Sequence, residues 1–103
     1  MTQELELQLV AKFPELCKRY GGNILETCFH YGFEFGDAWY GLMEETLEQL
    51  EKVRIESGQR IEIEQAKAKF GMFVVYLDYD KDIPKDVRDK IYNITHTAYL
   101  KSI

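Results

Sequence analysis

The sequence predicts a small α+β domain in which two or three β-strands pack against three main helices. Helical periodicity is clear in two long segments, one beginning at Asp37 and one near Pro84, and a third helix is indicated near the N-terminus. Apolar residues alternate at 29–35 and run almost continuously at 72–79, which is typical of strands. With 103 residues, we expect one domain, 1–103, built around a single core.

The first helix is predicted over residues 2–12, where apolar side chains recur at intervals of four among strong helix formers. Pro14 disfavours helical backbone in the residue before it. The helix should therefore end near Lys12, and a second helical segment should begin with Pro14 in its first turn. Gly21 and Gly22 should end that segment.

An aromatic strand is predicted over residues 29–35. Its odd positions are all aromatic, and the even positions between them are His30, Gly32 and Glu34. This alternation would bury one face of the strand. Asp37 follows as an N-cap, and its carboxylate should accept hydrogen bonds from the free first-turn amides of the next helix.

The most regular helix begins at Asp37 and ends at Ser57-Gly58. Its apolar positions recur at spacings of three and four. They are Tyr40, Met43, Leu47, Leu50 and Val53.

The remaining segments are less uniform. Residues 60–69 predict a short extended piece followed by a helical turn, whereas 72–79 predict a central strand that is buried on both faces near its start. The last helix begins near Pro84. One side of it carries Val87, Ile91, Ile94 and Ala98.

Charge and hydropathy exclude some classes of function. A net charge of -5 argues against a broad electrostatic grip on nucleic acid. No apolar run approaches the roughly 20 residues that cross a bilayer, so we expect no membrane-spanning role. Two cysteines without a signal-like start favour a reduced, cytoplasmic setting. The 14% aromatic content suggests a ring-built core or an aromatic-lined pocket or interface.

Metal binding is not predicted. Asp78, Asp80 and Asp82 alternate as at the start of a calcium loop, but Ile83 and Asp89 stand where that loop needs glycine and glutamate. A solvated turn with a helix cap is the better interpretation.

No catalytic residue or cofactor is predicted either. His30 and His96 are the only histidines, and both should be exposed. Neither stands in ligand spacing with Cys17 or Cys28, and no motif marks a nucleophile.

A first candidate ligand site lies at the start of the main helix. Trp39 and Tyr40 fall in its first turn, beside free amides that bind carboxylate or phosphate. The alternative is that Asp37 occupies those amides and Trp39 simply covers the core.

The one local basic and aromatic cluster is formed by Lys67, Lys69 and Phe70. Together with Arg60 it could hold an anionic ligand while Phe70 or Trp39 stacks on a base. The alternative is a solvated helical turn that ends at a glycine.

Most of the chain resembles a family of small proteins of tailed bacteriophages and prophages that have no settled activity. The resemblance is carried by Lys12–Leu16, Gly21-Gly22, Thr27–Glu34, Gly36–Tyr40 and Lys67–Gly71. The family motifs usually read Gly-Asp-Gly-Trp and Lys-Glu-Lys-Phe-Gly-Gly-Leu-Arg. Here Ala38 replaces a glycine, Phe35 stands where a cysteine is common, and Met72–Val74 replace Gly-Leu-Arg. The C-terminal cysteine pair of many relatives is absent, so no zinc is implied.

This resemblance implies a phage accessory protein in the cytoplasm of the infected bacterial host. The leading hypothesis is a non-enzymatic counter-defence binding protein that sequesters a nucleotide-like signal or blocks a host defence protein. One alternative is an interaction module that uses the acidic helix face Glu44–Glu56, and a third is a small enzyme acting on nucleotides. A homodimer could form if the aromatic strand pairs edge to edge across a two-fold axis.

Overall fold

Three helices and a three-stranded sheet make up the computed structural model, which describes residues 1–103. About half of the chain is helical and 18% is strand, so the α+β prediction is confirmed. The helices are α1 (Gln3–Lys12), α2 (Tyr40–Ser57) and α3 (Lys85–Lys101). The strands are β1 (Phe33–Glu34), β2 (Ile61–Lys69) and β3 (Met72–Tyr79), and short 3₁₀ turns cover Cys28–Tyr31 and Asp37–Trp39.

The sheet has the strand order β1-β2-β3. β1 runs parallel to β2, and β3 returns antiparallel to β2 after the two-residue turn Phe70-Gly71. The prediction of a strand at 72–79 is correct, but its central position is wrong because β2 occupies the centre. As an edge strand, β3 has only Phe73 fully buried.

The helical turn predicted within 60–69 is wrong, since β2 continues without interruption to Lys69. A β-bulge explains the misleading pattern. Ile63 lies opposite Leu77 and Gln65 lies opposite Tyr76, so Glu64 is an extra residue with no partner residue on β3. The insertion shifts the in-and-out alternation by one position, and the period-two pattern is therefore lost after Ile63.

The core lies between the helices and one face of the sheet. α2 and α3 form where helices were predicted, although α2 begins at Tyr40 and not at Asp37. Gly58 ends α2 in the left-handed conformation at φ +69°. The buried apolar residues of these two helices are Met43, Leu47, Leu50, Val53, Val87, Ile91 and Ala98. They pack with sheet residues such as Ile61, Ile63, Ala66 and Phe73.

The segment between α1 and α2 departs most from prediction. The helix expected after Pro14 is a series of turns. The strand expected over 29–35 begins instead as the 3₁₀ turn Cys28–Tyr31, which leaves Tyr31 57% exposed. Gly32, at φ +68° and ψ -146°, then redirects the chain into β1, a backbone conformation that other residues rarely adopt.

Asp37 does not cap the helix that follows it, so that prediction is wrong. Its Oδ1 accepts a hydrogen bond at 2.8 Å from the backbone N–H of Thr2, the residue before α1. The start of α2 is provided by a 3₁₀ turn without a side-chain cap. Asp37 therefore joins the starts of two helices in space, a relationship that local sequence cannot show.

Candidate functional site

The predicted site residues lie in separate parts of the molecule. Arg60 immediately precedes β2 and Lys69 ends it, nine residues further on. At about 3.3 Å per residue, the two are roughly 30 Å apart. A single small ligand cannot contact both, because the helical turn that would have brought them together is absent.

Trp39 and Tyr40 both make contacts within the fold. The partly buried Trp39 ring packs against Phe35 and Phe73 at centroid distances of 5.5 and 5.6 Å. The Tyr40 hydroxyl donates to Gln8 Oε1 at 3.4 Å, which joins α2 to α1. Trp39 nonetheless lies at the same end of the sheet as the β2–β3 turn, because its neighbour Phe73 is only three residues beyond Phe70.

The tip of the β2–β3 hairpin carries the most unusual residue of the chain. Phe70 is 93% exposed, and its φ is +53°. Gly71 follows at φ +78°, so both turn residues have the positive φ of a type I′ turn. Asparagine or glycine normally occupies the first of these positions. A phenylalanine there is strained and, in the free chain, buries almost nothing in return.

Two lysines accompany this tip without ion-pair partners. Lys69 is exposed, while Lys67 lies on the outer face of the sheet with its Nζ 6.0 Å from the ring centroid of Tyr76. The hairpin end is thus locally basic on a chain of net charge -5.

Arg60 belongs to an ionic network that the sequence did not reveal. It donates to Asp78 at 2.9 Å, to Asp80 at 3.1 Å and to Glu62 at 3.2 Å. Arg19, from the turns after α1, donates to Glu62 at 3.0 Å and Asp78 at 2.7 Å. Arg19 also pairs with Glu64 at the bulge. The network crosses the outer face of the sheet.

Electrostatics within this network follow from the contacts. The hydrogen bond from Arg60 lowers the pKa of Asp78, against the effect of partial burial, and the charge of Arg19 lowers that pKa further. Hydrogen bonds to Asp78 and Glu62 raise the pKa of Arg60. These guanidinium groups are already paired with carboxylates, and this leaves them poorly suited to an incoming anion.

The acidic face of α2 is partly neutralised. Three of its carboxylates have basic partners on α1, on α3 or within α2 itself. The pairs are Glu44–Lys12, Glu45–Lys101 and Glu51–Arg54. The surface is therefore less negative than the sequence suggests.

Both histidines are exposed, as expected. His30 places Nδ1 2.6 Å from the carbonyl oxygen of Gly22. His96 stands in a ladder of stacked rings on α3, with Tyr92 at 5.4 Å and Tyr99 at 6.1 Å, inclined by only 8° and 14°. The spacing of four and three along a helix could have indicated this ladder from the sequence.

A polar depression of about 350 Å³ lies beside the turns after α1. No apolar side chain lines it, so it offers no ring on which a base could stack. Its lining residues are Lys18, Arg19, Gly22, Asn23, Glu26 and Thr27.

None of the helices combines the length and the apolar character needed to cross a membrane. The chain also contains no group of three or more side chains placed to hold a metal ion. Comparison with protein-family models, curated proteins and solved structures gives no match. The resemblance to phage proteins therefore remains an expectation.

Proposed function

We propose that this chain is a non-enzymatic binding protein that contacts a partner protein through the tip of the β2–β3 hairpin. The observation that carries the proposal is Phe70, which is 93% exposed at φ +53°. A residue other than glycine costs about 1–2 kcal/mol in this conformation. Insertion of the ring into a pocket of the partner would offset that cost, as buried aromatic anchors do in interfaces.

The chemistry around Phe70 describes the surface that it fits. Lys69 is exposed beside it, and neither Lys69 nor Lys67 is held by a carboxylate of this chain. An apolar pocket with an acidic rim is complementary to a ring flanked by ammonium groups.

The biological setting of the proposal comes from the sequence. The resemblance to phage accessory proteins supports a partner that belongs to host defence, so that the chain would block a host factor. The version that sequesters a nucleotide has less support. Arg60 is roughly 30 Å from Lys69, at about 3.3 Å per residue of strand. Arg60 is also already paired with Asp78. Trp39 likewise packs on core rings rather than standing free.

The acidic-helix alternative also has less support. Glu45 and Glu51 have basic partners within the chain. Charge reversal at Glu45, Glu48 and Glu51 should therefore leave partner binding unchanged.

The proposal is tested by photo-crosslinking in the bacterial host. A crosslinking amino acid replaces Phe70 in one variant and Leu25 in a matched control, since Leu25 is 90% exposed on a turn far along the chain. One host protein should be captured from position 70 and not from position 25. The purified pair should then bind, and Phe70→Ala should weaken binding by about tenfold or more, as for an interface hot spot.

Two results would contradict the proposal. Equal capture from positions 70 and 25 would remove the hairpin tip as the contact. A rise in the melting temperature with cyclic nucleotides or ADP-ribose derivatives, lost in Lys69→Ala, would favour sequestering of a small molecule instead.

A further inference from the structure

β3 is an edge strand with an open outer side, since its only neighbour in the sheet is β2. Proteins usually protect such edges with lysine, proline or a bulge in the edge strand. Met72–Tyr79 contains none of these, and its one charged residue is Asp78. The open edge thus has the composition of a strand that is paired on both sides.

The hairpin geometry shows which peptide groups face the open side. A two-residue turn is closed by a hydrogen-bonded pair, here Lys69 with Met72. In an antiparallel ladder, successive residues direct their N–H and C=O groups alternately toward and away from the partner strand. The N–H and C=O groups that point away from β2 are therefore those of Phe73, Val75 and Leu77.

One hydrogen bond supports this assignment. The backbone N–H of Phe73 donates to Ser102 Oγ at 3.1 Å, outside the sheet. Ser102 is the only side chain that bonds to this edge. The outward N–H and C=O groups of Val75 and Leu77 remain free to pair with another strand.

A shallow groove runs along the same edge, between β3 and α3. It consists of two neighbouring depressions of about 160 Å³ each, which share Val75, Tyr92 and Thr95. The stacked ladder of Tyr92 and His96 forms part of its wall. A strand added to β3 would lie against these rings.

We propose that the strand that fills this groove is β3 of a second copy of the chain, paired antiparallel with a two-fold axis at Tyr76. In this register Val75 lies opposite Leu77 of the second copy, and Leu77 opposite its Val75. The outward N–H and C=O groups of Val75 and Leu77 are then all hydrogen-bonded. The two three-stranded sheets become one sheet of six strands. Apolar side chains meet apolar side chains across the interface.

Charge complementarity favours a second copy in this register. The basic hairpin end of each copy meets the acidic end of β3 in the other, because the strands are antiparallel. On the outer face of the sheet, two rows of side chains cross the interface. Each row contains one residue of β2, its partner on β3, and the residue of the second copy that lies opposite this partner. One row is Lys67–Val74 followed by Asp78 of the second copy, and the other is Lys69–Met72 followed by Asp80 of the second copy, just past the end of its β3. Within its own chain each of these carboxylates bonds to Arg60, so the lysines would add a further cation to each.

The inference goes beyond the proposed function and stands without it. The hairpin tips with Phe70 lie at opposite ends of the six-stranded sheet and stay exposed, so dimer formation leaves both available to a partner.

Disulfide trapping tests the register directly. Tyr76→Cys, in a Cys28→Ser background, places two thiols in a non-hydrogen-bonded cross-strand pair, with Cα atoms about 4.5 Å apart, close enough for a disulfide. The matched control is Val74→Cys, because position 74 faces position 78 of the other copy. Mild oxidation should trap a dimer from position 76 and not from position 74. Equal trapping at both positions would overturn the register.

Sedimentation equilibrium tests the association itself. The wild-type chain should show twice the chain mass at micromolar concentrations, whereas Tyr76→Lys should weaken association by about tenfold or more because like charges meet at the axis. Lys69→Glu should also weaken association, because it removes a cation from the basic hairpin end. A wild-type chain that stays monomeric at several hundred micromolar would overturn the proposal.

Discussion

Glu6 Oε2 accepts a hydrogen bond from the backbone N–H of Phe33 at 2.8 Å, so a carboxylate of α1 holds the first residue of the sheet. Its Oε1 accepts from the Tyr20 hydroxyl at 2.7 Å. Burial and this hydrogen bond raise the pKa of Tyr20 to about 12. Because Glu6 is only 9% exposed, these bonds form in a dry environment. They join α1, the turns that follow it, and β1.

Removal of this carboxylate should destabilise the fold. Glu6→Ala leaves the Phe33 amide and the Tyr20 hydroxyl without their acceptor, and it should lower the free energy of unfolding by about 2–4 kcal/mol. Glu6→Gln keeps an acceptor for one of these two donors, and it should lower the free energy of unfolding by about 1 kcal/mol. Urea denaturation measures both, with the exposed Glu4→Ala as control. A Glu6→Ala change as small as that of the control would contradict the role assigned to this residue.

Gly32 should resist substitution for two reasons. Its φ is +68°, and a Cβ atom there would lie 2.7 Å from Glu6 Oε2. Gly32→Ala should therefore lower the free energy of unfolding by about 2 kcal/mol or more. Gly41→Ala is the matched control, because a Cβ there meets nothing within 4 Å and lies in α2. Gly41→Ala should raise the free energy of unfolding by about 0.5–1 kcal/mol. If urea denaturation showed Gly32→Ala to be more stable than Gly41→Ala, the close contact at Gly32 would be contradicted.

The parts of the fold that the sequence predicted correctly are those in which burial is periodic. α2 and α3 each keep one apolar stripe against the core, and β3 has the β-branched and aromatic content of a strand. The prediction failed where a distant contact decides the local structure. Residues after the Glu64 bulge pair with β3 although they are good helix formers, and Asp37 bonds to Thr2, next to a helix that is remote in sequence, instead of capping its own helix.

The candidate site was predicted only in part for a related reason. The motif around Phe70 could be found from the sequence, because lysines and an aromatic residue before a glycine are local features. Arg60 was wrongly expected nearby, since the length of β2 depends on pairing with β3. The contacts of Arg19 could not be predicted, because the carboxylates that it binds lie 43 to 59 positions away in sequence.

The network on the outer sheet face should make stability depend on acid pH. Arg60 and Arg19 hold the pKa of Asp78 below its usual value of about 3.9. Because the pKa of Asp78 is lower in the folded chain than in the unfolded chain, the carboxylate stabilises the fold at any pH above its unfolded-state pKa. This stabilisation is lost as the pH falls through the folded-state pKa. The difference in melting temperature between the wild type and Asp78→Asn should be largest near neutral pH and shrink below about pH 4.

Calorimetry over that pH range provides the measurement. Asp82→Asn is the control, because Asp82 is exposed and has no ion pair. Added salt should reduce the Asp78 effect, since the side chain is 40% exposed. A pH-independent difference for Asp78→Asn would contradict the network.

The two thiols should differ sharply in reactivity. Cys17 is buried at 2% exposure, and desolvation raises its pKa to about 12, with the charge of Glu51 adding to the rise. Cys28 is exposed. A thiol reagent should modify one cysteine in the native protein and two after denaturation, because the thiolate is the reactive form. Cys28→Ser should abolish the native reaction, and rapid labelling of Cys17 in that variant would show that the core is open.

The strain at Phe70 should separate stability from binding. Phe70→Asn creates an Asn-Gly pair, the preferred sequence for a turn with φ values of +53° and +78°. Relief of the strained backbone should raise the free energy of unfolding by about 0.5–1.5 kcal/mol. The same change removes the only ring at the hairpin tip, so it should weaken partner binding by about tenfold or more. Phe70→Gly should behave alike in binding, and Leu25→Asn, on an equally exposed turn, should change neither property. If Phe70→Asn lowered stability, the ring would be supporting the fold, and the strain would then need no partner to explain it.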